Sequence, residues 1–212
     1  MNEGSTRYFI PAETTRSRIE VKRSRFIATA AFTPSIETSD TFISAVKAEF
    51  PDANHNCWAR VIGAPGDTSQ AGMSDDGEPQ GAAGRPMLTA LLHTDVGDIS
   101  VVVSRYFGGI KLGKGGMARA YTDALLEVLE QLPRKEKIFY LPLKIQVPYP
   151  LLDILDRILP EYETFIDTRD FGASVTLNLK VPAEKHPELI RHLTELSGGK
   201  IEIGEGQHNL DS

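Results

Sequence analysis

Four cations, Arg105, Lys111, Lys114 and Arg119, share the segment RYFGGIKLGKGGMAR with five glycines, and the stretch from Ile99 to Thr122 contains no Asp or Glu. On a chain of formal net charge −6 this is a local island of positive charge. The run ISVVVSRYF reads as a strand, and the apolar spacing after residue 115 reads as a helix, so the glycines fall at a strand-to-helix junction. There the first N–H groups of the helix lack intrahelical acceptors and carry the positive end of its dipole, which suits a phosphate. Gly113, Gly115 and Gly116 would let that backbone approach a ligand closely. The segment is not a Walker A loop, since Lys114 is followed by Gly115 and Gly116 rather than Ser or Thr. Gly108 and Gly113 do not complete a G-x-G-x-x-G dinucleotide pattern either. Anion binding and a tight turn built for packing both remain open.

Three other stretches carry reactive or ligating side chains. SDDGEP (74–79) brings Asp75, Asp76 and Glu78 together, and carboxylates suit Mg²⁺ or a general acid and base. Asp-Gly and Glu-Pro are also ordinary turn pairs, which is the more economical reading. In HNCW (55–58) a strand places His55 and Cys57 on one face, as a Cys–His nucleophile pair or two metal ligands would require. A lone strand cysteine is more often a small core residue, and the sequence offers no third partner. The run RSRIEVKRSR (16–25), with five positive charges to one negative, reads as a phosphate ladder or, more simply, as an edge strand kept soluble by charge. His186 and His192 read as solvent-facing. No motif calls for a cofactor, and no metal ligand set is complete.

These segments need a scaffold, and 212 residues suffice for two domains, since single cores usually run to about 100–150 residues. A 41% hydrophobic, 25% charged composition can bury such cores and excludes wholesale disorder. The single Cys57 excludes an intramolecular disulfide and a multi-cysteine zinc site. The acidic balance excludes general attraction to polyanions, so any such binding must be local. No run reaches the roughly 20 apolar residues that span a bilayer, and the start lacks the order of a signal peptide. A cytoplasmic location with no membrane partner is expected.

Residues 15–32 predict a hairpin or a long bent strand. A helix capped by Ser39 or Asp40 follows and ends at Pro51. NCWARVI is a strand, 63–81 a long loop, 84–93 a helix with Pro86 in its first turn, and a long helix ends near Leu132. PRKEK (133–137) breaks the pattern and reads as a linker, dividing the chain into domains 1–133 and 134–212. The second half orders a strand (138–147), a helix (149–159), a hairpin around Phe171-Gly172, a helix (186–197) and a strand (200–205). That is the βαββαβ order of a ferredoxin-like domain, and the fold class is α+β.

The stretches KRSRFIA (22–28), HNCWA (55–59), SDDGEPQGAAGRPML (74–88) and VVVSRYFGGIKLGKGGMARAY (101–121), in this order, resemble the YigZ/IMPACT family across residues 18–132. The second half is similar, in element order, to the family's smaller C-terminal domain. The resemblance implies an N-terminal domain of the ribosomal protein S5 domain 2-like fold and a C-terminal domain like one of elongation factor G. Both folds recur in RNA-handling proteins, and the family's eukaryotic members regulate translation initiation. Lys114 stands where the family often has Thr, which favours an anion site. Asn56 stands where a second His is frequent, which weakens metal binding at 55–57. Gln80 and Ala82 replace small hydroxyl residues, which weakens catalysis there.

The first expectation is a non-enzymatic protein that binds RNA, the ribosome or a translation-related protein. Arg105, Lys111, Lys114 and Arg119 would hold phosphates with the Gly113–Gly116 backbone, beside a cleft shaped by His55, Asp75, Asp76 and Glu78. About four phosphate contacts on a single strand predict a slope near −3 for log K against log salt. The rivals are an enzyme using His55, Asp75, Asp76 and Glu78, with or without a divalent ion, on a phosphorylated small molecule, and a protein-binding adaptor using the second domain's open sheet face.

Overall fold

In the computed structural model, which describes residues 6–206, the β-branched run before the glycines lies at the centre of a five-stranded sheet. The first unit, ending at Lys137, comprises β1 (Arg7–Pro11), β2 (Thr15–Val21), β3 (Ser24–Phe32), α1 (Ile36–Glu49), β4 (His55–Val61) and β5 (Gly72–Ser74). It continues with α2 (Gly84–Leu92), β6 (Ile99–Tyr106), α3 (Gly113–Gln131) and β7 (Arg134–Ile138). The sheet order is β2-β3-β6-β4-β5, with every neighbouring pair antiparallel. β6 is buried from Ile99 through Arg105 because both faces are covered. Ile43 and Val46 of α1 pack against Val102 on one face, and α2 and α3 cover Val101, Val103, Cys57 and Phe26 on the other.

Several sequence expectations change. Helix α1 begins at Ile36, not at Ser39 or Asp40, because Ser35 forms a reciprocal capping box with Thr38. Ser39 lies inside the helix, buried against the Ser100 hydroxyl at 2.7 Å. The loop 63–81 contains the short edge strand β5. PRKEK is not a free linker: β7 pairs with β1 in a two-stranded sheet, which its charged sequence did not signal. The basic run 16–25 behaves as an edge strand at its start, where Arg16 forms a two-pronged pair with Glu49 at 2.6 and 2.7 Å and Arg18 lies 3.9 Å from Glu20.

The second unit, from Ile138, comprises β8 (Tyr140–Val147), α4 (Leu152–Ile158) between two short 3₁₀ turns, β9 (Phe165–Phe171), β10 (Val175–Pro182), α5 (His186–Ser197) and β11 (Glu202–Glu205). Its antiparallel sheet has the order β11-β8-β10-β9, the ferredoxin-like arrangement. Period-two alternation puts Leu143, Ile145 and Val147 of β8 and Val175, Leu177, Leu179 and Val181 of β10 inward against Leu155, Leu189 and Leu193. The chain is thus α+β in both halves. His192 is half-buried rather than solvent-facing, with Nδ1 2.9 Å from the Tyr162 hydroxyl.

One buried carboxylate ties β1 and β7 to the main sheet. Asp98, 1% exposed, accepts from the Gly63 N–H at 2.8 Å, the Tyr8 hydroxyl at 2.8 Å and the Lys137 ammonium at 2.6 Å. Burial is the largest influence and would lower the Lys137 pKa, but the hydrogen bonds and charges of Asp98 and Tyr8 together outweigh it and raise the pKa above the ordinary 10.5. Burial and then Asp98 raise that of Tyr8. These contributions are complete below the unfolded-state values and vanish as pH rises through the folded ones. Asp98→Asn should lower urea-unfolding stability at pH 7 by about 2 kcal/mol, since bonds to charged groups contribute about 1.5–3 kcal/mol. The difference from wild type should shrink above pH about 10.5; a loss under about 0.5 kcal/mol at pH 7, within the range of ordinary surface changes, would contradict the assignment.

Candidate functional site

Strand register assembles the site. Phe26 of β3 and His55 of β4 are the direct cross-strand partners of Arg105 on β6, and such partners project from one face. That face is the one covered by α2 and α3. Where β6 ends, residues 107–112, the start of α3 and the 74–83 loop enclose a cleft of about 390 Å³ lined by Asn54, His55, Glu78, Arg105, Lys111 and Gly113 among others. Candidates from three separate segments therefore meet.

The acidic loop spends its carboxylates on its own structure. Asp75 accepts the N–H of Gly81 at 2.7 Å, of Ala83 at 3.0 Å and of Gly84 at 2.8 Å, so it caps α2 from outside the helix. Burial raises its pKa, the three N–H donors outweigh burial, and Lys114 adds to them, leaving the carboxyl below its ordinary 3.8. Asp76 accepts from Lys47 at 2.5 Å and from the Asn56 N–H at 2.7 Å, and its backbone sits at φ 43°. Its pKa is also lowered, burial being outweighed by Lys47 and Asn56. Glu78, 7% exposed, pairs with Arg105 and accepts the Tyr121 hydroxyl at 2.8 Å on the same oxygen. The turn reading of SDDGEP fits this geometry.

The cations do not form one surface. Arg105 is 6% exposed and neutralised by Glu78, so it is not the open phosphate contact expected from sequence. Its strand position on a covered sheet face is the reason. Its Nε is nevertheless buried without a partner. Arg119 lies two residues beyond Met117, about 200° around the helix at about 100° per residue, and so faces away from the cleft that Met117 lines. Lys111 lines the cleft and is exposed, and Lys114 is exposed near Asp75. Gly113, at φ 71°, opens α3, whose first turn has no side-chain cap and no acidic residue. A Cβ on Gly113 or Gly115 would meet no atom within 4 Å, so that helix end is open to a ligand.

His55 and Cys57 share a face but not a chemistry. His55 Nδ1 lies 2.8 Å from the Asp76 carbonyl, which can only accept, so Nδ1 carries the proton and Nε2 is left unbonded. The fully buried Cys57 thiol donates to the Asp75 carbonyl at 3.0 Å, and burial pushes its pKa up to about 12. At neutral pH it is a protonated core residue, not a nucleophile. Among the described residues no three His, Cys, Asp or Glu side chains are grouped to hold a metal ion, and no helix is long and apolar enough to cross a membrane. Sequence reasoning passed over Asn54, Phe107 and Tyr121. The i, i+4 spacing of Met117 and Tyr121 below the glycines was the signal for Tyr121.

Residues 22–129 match the model of the Impact N-terminal domain, and residues 145–200 match a domain of unknown function, DUF1949. The chain belongs to the IMPACT family. It is 40% identical over 196 residues to the IMPACT family member YigZ of Escherichia coli, covering 92% of this chain and 96% of that protein. A family member from Haemophilus influenzae is 37% identical over 203 residues, covering 93% and 98%. A solved structure described as a hypothetical protein superposes with a TM-score of 0.64 at 38% identity, over 96% of this chain and 99% of that one. The family match spans the cleft entirely, since Asn54 to Met117 lie within the Impact N-terminal domain.

Asp75 offers a direct test of how the cleft wall is held. An Asn at 75 has one acceptor oxygen for three donors, so Asp75→Asn should destabilise the chain by about 2 kcal/mol in urea at pH 7. Because the folded carboxyl titrates below 3.8, the wild-type advantage is present above that value and lost as pH falls through the folded pKa. An unchanged stability at pH 7, or an advantage that grows on acidification, would show that the three N–H bonds do not hold the loop.

Proposed function

We propose that the chain is a non-enzymatic binding protein of the cytoplasm that engages RNA and, through it, the translation machinery, by holding a phosphate in the N-terminal cleft. The observation that carries this reading is the uncapped, glycine-rich start of α3 opening beside a cleft lined by the buried Arg105, whose Nε lacks an acceptor. An oxyanion there would meet helix N–H groups and the Lys111 ammonium together, beside the buried Arg105–Glu78 pair. Regulation of translation initiation by the family's eukaryotic members supports the choice of RNA over other phosphates by analogy. The enzymatic reading draws less support, because Asp75 and Asp76 are committed to loop and strand bonds and Cys57 stays protonated.

With Arg105 paired and Arg119 turned away, two of the four expected cations remain at this site. Lys111→Gln with Lys114→Gln should weaken binding of single-stranded RNA about tenfold in low salt. It should also make the log K against log salt slope shallower by about 1.4, at about 0.7 per lost contact. Filter binding across a salt series reads both, and ribosome co-sedimentation should fall in parallel. Unchanged affinity and slope would overturn the phosphate site.

A further inference from the structure

We infer that the cleft takes one nucleotide of a single strand, with its base against the Phe107 ring and the adjoining phosphate on the Lys22-Arg23 turn. This rests on the phosphate reading above and adds what distinguishes a nucleic acid from a bare anion. Phe107 lines the cleft and is 48% exposed, whereas β6 is buried from Ile99 through Arg105 and half-buried at Tyr106. Its backbone is fixed, since its N–H donates to Asn54 Oδ1 at 2.7 Å. The Arg105 guanidinium lies 5.7 Å from the ring centroid, so the ring stands beside the donor whose Nε is unpartnered. An exposed ring next to a buried arginine and rim lysines offers a base a stacking surface and its phosphate a cation together.

The second cation pair comes from the β2–β3 hairpin. Val21 pairs with Ser24, leaving Lys22 and Arg23 as a two-residue turn with φ of 48° and 65°. That turn touches the Phe107 loop directly: a Cβ on Gly108 would lie 2.0 Å from the Arg23 carbonyl carbon, and the Gly108 N–H donates to Ser24 Oγ at 3.2 Å. Only glycine permits this approach. Both side chains are exposed, and none of the ion pairs among the described residues involves them. They replace Arg105 and Arg119 as the outer phosphate contacts. A duplex is disfavoured, because its bases are already stacked on one another and a recess of about 390 Å³ is the size of a small-molecule pocket.

Fluorescence anisotropy with a labelled single-stranded RNA twelve-mer, the same sequence as a duplex, and polyphosphate as competitor tests the assignment. Phe107→Ala should weaken single-strand binding about tenfold while leaving the salt slope and polyphosphate binding unchanged, and Phe107→Tyr should stay within about twofold of wild type. Lys22→Gln with Arg23→Gln should make the slope shallower by about 1.4, from near −3. Duplex bound as tightly as single strand, or single-strand binding indifferent to Phe107→Ala, would overturn the base platform. If the Lys111 and Lys114 variant still loses binding in that case, the phosphate site stands without it. If no variant alters RNA binding, both fall.

Discussion

The Arg105–Glu78 pair is the constraint on which the N-terminal unit depends. Its side chains are 7% and 3% exposed, and Glu78 also holds the Tyr121 hydroxyl. The rings of Phe26 and Phe107 lie 5.6 and 5.7 Å from the guanidinium. Burying two charges costs several kcal/mol each in desolvation, so the pair is poor evidence for stability by itself. What it gives is position. It joins the end of β6, the 74–83 loop and the inner face of α3 at one point, and leaving either charge alone there would cost about 3–5 kcal/mol. The cleft exists because these three elements are pinned together at its inner end.

This pairing explains both what the sequence made legible and what it hid. Alternation in β8 and β10, the β-branched density of β6 and the helical spacing of α3 are local signals, and each produced the element expected. The glycine junction before α3 was legible for the same reason. Arg105 was not, because neither its burial nor its partner is local: Glu78 lies 27 residues away, and only the β4–β6 register and the return of the acidic loop bring them together. Arg119 belonged to the island by sequence distance alone, since helical geometry separates it from Met117. β7 was hidden because a charged strand in a two-stranded sheet has no apolar alternation to show.

The acidic loop shows how one composition can serve two ends. Three carboxylates within four residues suggest a cation site, yet each is answered by donors: Asp75 by three backbone N–H groups of its own loop and the start of α2, Asp76 by Lys47 and Asn56, and Glu78 by Arg105 and Tyr121. The loop is thereby fixed without regular structure, and the backbone carbonyls of Asp75 and Asp76 are fixed with it. Those carbonyls orient the Cys57 thiol and the His55 ring.

A chain of net charge −6 that binds a polyanion must do so at short range. At physiological ionic strength charges separated by more than about 8 Å are largely screened, so the remote acidic surface neither steers a ligand in nor strongly repels it. Affinity would then come from groups in contact, and the proposed site offers few: Lys111 in the cleft lining, the exposed Lys114 near Asp75 and an uncapped helix start. On the proposed reading such a set would hold one phosphate, not a long backbone, and would accept anions of several kinds. Selectivity for a nucleic acid must therefore come from something uncharged beside the phosphate. An exposed aromatic ring on a loop fixed by Asn54 and by the close contact at Gly108 is the feature of this site able to supply it.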